Sequence, residues 1–394
     1  MKILYSCISD FSKPCAERTH VSEIVNNFAK LGHDVHLIAL KKGNLKLHSN
    51  VKFYGMFPFI NKRFLSLATL YVQKIHVKSL IKKIIKKENI DIVYERHGTD
   101  HATKIAFCIN IPVVLEVNGN PSDEAESQGA DKKTIEEIDG LEKEKLSMPN
   151  KIIAVTEGTK DYCISLGIDK KKIVVIPNGA NINIFKPMDQ KECRNHLGLG
   201  DYPIITFVGA FRQYQGLEHA IESMRYILQE IPNAKLMLVG DSGEYRGYTF
   251  RPTIQDLRSL AEKTGVGKNI IFTGRVPYEM VPYYINASDV CIALVMEQKS
   301  GQSSLKIYEY MACGKPVIAR NTSGYEIINE YKTGILVNPE DKKEISNAII
   351  NLLRDDKLRA EIGCNSRKLI IENYSWENIT KKIVMVCEDV VNTI

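Results

Sequence analysis

The chain has 394 residues, 44% of them apolar, and a formal net charge of +6. It is too long for one hydrophobic core and long enough for two domains with a cleft between them. No apolar run approaches the roughly 20 residues that cross a bilayer as a helix. The nine cysteines, odd in number and without a C-x-x-C pair, point to neither a disulfide framework nor a zinc site.

Met1-Lys2 leads into a short apolar run, Ile3 to Ile8, without the hydrophobic stretch and cleavage site of a secretory signal. A cytoplasmic protein is therefore expected, peripheral on the inner face of the membrane at most. Strand-like runs occur at Lys2 to Ile8, Val35 to Leu40, Ile92 to Glu95, Val113 to Val117 and Ile152 to Val155, separated by helical stretches such as His20 to Leu31. Residues 62–87 carry eight Lys and Arg and no acidic residue, while Leu70, Val77, Leu80, Ile81, Ile84 and Ile85 recur at helical spacing. That run reads either as a basic amphipathic helix on an anionic membrane surface, each Lys contributing about 1 kcal/mol, or as a core helix with one wet face. No aromatic stacking platform accompanies it, so no nucleic-acid partner is expected. After the turn-rich Ile176 to Pro187 a second series begins: Ile204 to Val208, Lys235 to Val239, Ile270 to Thr273, Val290 to Ala293 and Pro316 to Ala319. The alternation is that of two Rossmann-like halves, closed by a last helix from Trp376 to Val391.

The stretch GQSSLKIYEYMACGKPVIA, Gly301 to Ala319, passes from a polar turn into a helix and then into a buried strand. Ser303 or Ser304 supplies a cap, and the first amides of the helix point out of the Gly301-Gln302 turn with partial positive charge behind them. Lys306 lies in that first turn, where a cation opposes the helix dipole by a few tenths to roughly 1 kcal/mol. A bound diphosphate would turn that conflict into a clamp. Glu309, one turn on and on nearly the same face, is placed to accept hydrogen bonds from ribose or sugar hydroxyls. The plainer alternative is a surface helix with a solvated i,i+3 Lys–Glu pair.

The same residues resemble the donor-binding element of family 4 glycosyltransferases, the retaining enzymes of GT-B architecture, in the pattern G-Q-S-P-x-K-x-x-E-Y-M-A-x-G-x-P-V. Ser304 takes the place of the usual Pro. The resemblance covers essentially the whole chain and is strongest from Gly301 to Pro339. It implies an α/β fold of two Rossmann-like doubly wound domains facing a cleft. Residues 1–185 would form an acceptor domain and 186–374 a nucleotide-sugar donor domain, with the C-terminal helix, 375–394, crossing back to the first. In FVGAFRQYQGLEHAI, Phe207 to Ile221, the resemblance puts Gly209 and Arg212 at the donor diphosphate. Ala210 and Gln215 stand where the commoner pattern has Arg and Lys. Each charge-assisted hydrogen bond to phosphate is worth roughly 1.5 to 3 kcal/mol, so Arg212 and Lys306 are the expected phosphate pair.

Gly240 and Asp241 in LVGDSGEY, and Arg275 and Val276 in FTGRV, are implied to shape the nucleobase pocket beyond the strand ends; Asp241 alternatively caps a helix. Gly301, Gln302, Ser303, Ser304, Leu305, Lys306 and Glu309 complete the implied donor site. Gly301 replaces a second glutamate found in many relatives. On the first half, the SKPCAERTH, YERH and LEVN segments resemble the family's acceptor side and nominate Arg18, His20, Arg96, His97, Glu116 and Asn118. Asn118 stands where many relatives carry a catalytic-site His, and an amide cannot take a proton at neutral pH.

The implied activity is retaining transfer of a sugar from a UDP- or GDP-sugar to a glycan or lipid-linked acceptor in cell-surface polysaccharide or glycoconjugate synthesis, without cofactor or metal. Arg212, Lys306, Glu309 and Asn118 would carry it. The departures at Ala210, Gln215, Gly301 and Asn118 keep a catalytically silent scaffold of the same fold open, with a nucleotide-sugar epimerase as a further alternative.

Overall fold

The structure, a computed structural model, describes residues 1–12, 15–56, 67–98, 101–127, 129–245, 248–296 and 303–393. Its contacts divide the chain into two units. One holds Met1–Asn178, Ser303 and the segment from Trp376 onward; the other holds the segment from Gly179 together with Ser304–Ser375.

The first unit is built on a parallel seven-stranded sheet. Its strands are β1 (Lys2–Ser6), β2 (Asp34–Ala39), β3 (Val51–Gly55), β4 (Ile92–Arg96), β5 (Val113–Val117), β6 (Lys151–Ala154) and β7 (Ile173–Val175), in the order β3-β2-β1-β4-β5-β6-β7. Strands β1, β4 and β5 are buried almost throughout, because helices cover both faces of a parallel sheet and leave no polar side for alternation to show. The helices are α1 (Ala16–Lys30), α2 (Leu67–Glu88), α3 (His101–Cys108), α4 (Pro121–Ser127), α5 (Lys132–Ser147) and α6 (Glu157–Ser165). Helix α1 begins four residues before the expected His20, because Cys15 is extended and its sulfur accepts the Arg18 N–H at 3.4 Å.

The basic run forms α2, with residues 62–66 outside the described residues. Ile81, Ile84 and Ile85 are buried in a cluster with Leu4, Ile38 and Val93, and Val77 and Leu80 pack against it. Lys78, Lys82, Lys83, Lys86 and Lys87 are exposed. In this part of the helix the apolar stripe is therefore spent on the protein core, and only the lysine face remains to meet a partner.

The second unit carries a parallel six-stranded sheet of β8 (Ile204–Val208), β9 (Lys235–Val239), β12 (Ile270–Gly274), β13 (Val290–Ala293), β14 (Val317–Arg320) and β15 (Gly334–Val337), ordered β12-β9-β8-β13-β14-β15, and a hairpin of β10 (Glu244–Tyr245) and β11 (Tyr248–Thr249). Its helices are α7 (Gln190–Leu197), α8 (Leu217–Glu230), α9 (Ile254–Lys263), α10 (Val281–Ala287), α11 (Leu305–Ala312), α12 (Ile327–Glu330), α13 (Lys342–Arg354) and α14 (Asp356–Asn373). Helix α15 (Trp376–Asn392) belongs to the first unit and packs against α1 and β5. The strand order reverses at β1 and β4 in the first sheet and at β8 and β13 in the second. Ligands of open parallel sheets bind beyond such switch points.

Candidate functional site

At the second switch point, β8 and α11 are locked together: the Val208 N–H donates to the Tyr310 hydroxyl at 2.7 Å. Strands β8, β9 and β12 end in glycines whose amides knit the tips, Gly209 N–H to the Val239 carbonyl at 2.9 Å and Gly240 N–H to the Gly274 carbonyl at 3.0 Å. Gly240 has φ +133, and a Cβ there would collide with the Gly209 carbonyl oxygen, so only glycine lets these strand ends close up. Gly209 itself forms a wall against the Lys306 side chain.

Lys306 is partly buried in that corner. Its ammonium donates to Gln215 Oε1 at 2.5 Å and lies 4.5 Å from the centre of the Phe207 ring. Burial pulls its pKa down to about 7, against an opposing pull from Glu309, so near neutrality it hovers between charged and neutral. Glu309, one turn along α11, is 9% exposed, and the Tyr278 hydroxyl donates to it at 3.4 Å. Ser304 is the N-cap of α11, but its side chain makes no capping bond, and Leu305 opens the helix. Gly301 and Gln302 lie outside the described residues, as does Glu297.

Arg212 is engaged away from Lys306. It donates to the Phe211 and Ser242 carbonyls, and its guanidinium stacks 3.8 Å from the centre of the Phe250 ring. Asp241 caps no helix: its carboxylate pairs with Arg275 at 3.1 Å, and its carbonyl accepts the Phe211 N–H at 2.7 Å. Val276, beside Arg275, is partly buried against the apolar cluster that contains α11. The second unit thus gathers Gly209, Gln215, Lys306 and Glu309 in one corner, while Arg212 is turned to Ser242 and Phe250, which flank the β10–β11 hairpin. Sequence reasoning missed Tyr310 as the tie to β8, and treated Gln215 only as a lost charge when it is the acceptor that holds Lys306.

In the first unit the expected acceptor residues occupy the ends of β4, β5 and α1, mostly in closed pairs. Glu116 is buried, with its two oxygens 2.6 Å from His20 Nε2 and 2.5 Å from the Tyr94 hydroxyl. Burial pushes its carboxyl up, but His20, Arg96 and Tyr94 together hold it down at about 2. Arg96 pairs with Glu17 at 2.9 Å, and His97 Nε2 with Glu142 at 2.6 Å, where Lys145 also binds at 2.8 Å. Arg18 sits half-buried in the first turn of α1. The Asn118 side-chain amide has its Nδ2 buried and without a hydrogen-bond partner among the described residues. Glu17 and Glu142 carried no sequence signal beyond helix polarity, and Asn178, which bonds both His20 and Ser303, lies in a stretch that reads as a turn.

Two family models match this chain: Glycosyltransferase Family 4 over residues 18–184 and Glycosyl transferases group 1 over residues 189–387. An uncharacterized glycosyltransferase of Methanocaldococcus jannaschii is 31% identical over 242 residues, which are 60% of this chain and 59% of that relative. The chain thus spans about three fifths of the length of this relative. Sucrose-phosphate synthase of Thermosynechococcus elongatus superposes with a TM-score of 0.79 at 20% identity, with 100% of both chains covered. HepE of Anabaena, in complex with UDP, superposes with a TM-score of 0.76 at 19% identity over 99% of this chain and 100% of its own. The two family models follow one another along the chain, which belongs to the group 1 glycosyl transferases of GT-B fold.

Proposed function

We propose that the protein is a retaining glycosyltransferase that moves a sugar from a nucleoside diphosphate sugar to a glycan or lipid-linked acceptor in cell-surface glycoconjugate synthesis. The observation that carries this reading is the corner at the second switch point. There a partly buried lysine in the first turn of α11 is held by the neutral amide of Gln215, with Glu309 one turn further on. A diphosphate completes that corner electrostatically, and Glu309 accepts from hydroxyls of the attached ribose or sugar. The UDP bound by HepE supports trying UDP first among donors, with GDP next.

The chemistry asked of these residues is stabilisation of the leaving diphosphate. Lys306 supplies charge, the first-turn amides of α11 supply dipoles, and Arg212 adds a second cation once it leaves Ser242 and Phe250. Such preorganised donors act where charge develops in the transition state. The diphosphate oxygen that departs takes up the acceptor's proton on the face from which it leaves, so configuration is retained and no side-chain base is needed. Asn118 donates its unused Nδ2 proton to a sugar hydroxyl. The acceptor side lies at the β4 and β5 ends of the first unit. The exposed lysines of α2 add attraction to an anionic membrane without inserting.

The test is titration of the purified protein with UDP, GDP and their sugar conjugates, followed by transfer assays with and without a chelator and NMR of the anomeric product. Selective binding of one nucleotide, lost in Lys306→Ala and Glu309→Ala, and an unchanged anomeric configuration in chelator are the expected results. No binding by a folded protein would favour the silent scaffold, and an inverted anomer would overturn the stereochemical reading.

A further inference from the structure

Among the described residues, the chain passes between the two units after Asn178, after Ser303 and after Ser375. The first-unit residue at each passage is tied, directly or through one neighbour, to His20 of α1. His20 Nδ1 lies 2.7 Å from the Asn178 side-chain oxygen. Asn178 holds Ser303 twice, its backbone N–H donating to the Ser303 hydroxyl at 2.9 Å and its side-chain amide donating to the Ser303 carbonyl. The Trp376 ring stands edge-on to the imidazole, with centroids 5.3 Å apart at 90°. The imidazole is 5% exposed, and its Nε2 rests on Glu116.

Asn178 turns its side-chain N–H to the Ser303 carbonyl, so the oxygen it presents to His20 is an acceptor and His20 Nδ1 is the donor of that bond. On the other side of the ring Glu116, which receives the Tyr94 hydroxyl on one oxygen, brings its second oxygen to 2.6 Å from Nε2.

We propose that Asn178 is a positioning residue of the donor site: clamped by His20, it fixes Ser303 and thereby the start of α11, the helix that carries Lys306 and Glu309. The proposal rests on the donor-site reading above and adds to it a part that touches no ligand. Ser303 is one peptide unit from the N-cap Ser304, so where Asn178 holds it decides where the first-turn amides and Lys306 begin. Displacements of about 1 Å in positioning elements carry large rate penalties.

Asn178→Asp keeps an acceptor for His20 and removes the donor to the Ser303 carbonyl, whereas Asn178→Ala removes both. Calorimetric titration with UDP and GDP, thermal unfolding and nitrogen-15 spectra of the histidine rings are compared in wild type and both variants. The expected result is about tenfold weaker nucleotide binding in both variants, with Asn178→Asp melting close to wild type and keeping the His20 Nδ1–H. A purely structural role would lower the melting temperature and spare affinity in Asn178→Asp, and unchanged affinity there overturns the proposal. A wild-type His20 whose Nδ1 carries no proton overturns the clamp itself. Should Asn178→Ala fail to fold, Ser303→Ala, which deletes only the hydroxyl acceptor, must weaken binding in the same direction. Wild type that binds neither nucleotide rejects the donor-site reading, and the histidine spectra then still decide the clamp.

Discussion

The strand ends of the two units treat charge in opposite ways. In the first, Arg96 sits on Glu17, His20 on Glu116 and His97 on Glu142. In the second, Lys306 rests on an amide oxygen and an aromatic face, and Arg212 on two carbonyls and an aromatic ring. The more exposed Arg275–Asp241 pair there follows the pattern of the first unit. A region whose basic side chains mostly rest on carboxylates has little electrostatic pull on an ion and suits a neutral, hydroxyl-bearing molecule. A region of cations held by neutral groups beside a helix N-terminus is completed by an anion.

The contrast breaks first on its compensated side. Glu116→Ala leaves His20 buried without its carboxylate and is expected to cost about 3 to 5 kcal/mol of stability, read as a lower urea midpoint at unchanged slope. A midpoint equal to wild type would show that the pair is not what stabilises that corner. On the other side, Lys306→Ala is expected to cost about 3 to 4 kcal/mol of barrier, a loss of roughly 10² to 10³ in donor turnover with the fold intact. Arg212→Ala should weaken nucleotide binding by about 1.5 to 3 kcal/mol. If it changes nothing, Arg212 stays with Ser242 when the donor binds.

The finest probe is pH. Unfolded Lys306 titrates near 10.5 and the folded residue near about 7, so between these values the unfolded chain binds more protons. Stability therefore rises with pH across that window, by up to about 1.4 kcal/mol per pH unit, and Lys306→Met should flatten the slope. Nucleotide affinity runs the other way. A diphosphate favours the charged lysine, so binding weakens as pH climbs above about 7, and a titration calorimeter would register proton uptake in that range.

Much of this architecture was legible because buried parallel strands are apolar runs and because Gly301 to Ala319 couples a cap, a cation and a carboxylate at helical spacing. The strands that escaped notice lack that signature. In β3 exposed or half-buried Lys52, Phe53 and Tyr54 dilute the run, β7 is three residues long, and β15 opens on Gly334, where a Cβ would collide with the Val317 carbonyl. Helix α2 read ambiguously because a lysine-rich face looks the same whether its apolar side meets lipid or, as for Ile81, Ile84 and Ile85, the core. The clamp was invisible for a different reason: Asn178 lies 158 residues from His20 and 125 from Ser303 in sequence. No local pattern joins them. Arg212 was readable as a loop arginine but not as one held by Ser242 and Phe250, since only the fold brings the residues flanking the β10–β11 hairpin to it.

The near-neutral lysine also bears on which anions the corner selects. A guanidinium fixed in the same corner would stay charged at every physiological pH and would attract small inorganic anions without distinction. On the donor-site reading proposed above, Lys306 becomes fully cationic only for a visitor whose charge and hydroxyl pattern together compensate the cost of ionising it. When such a visitor departs, the proton follows, and the corner returns to a state with little attraction for small anions.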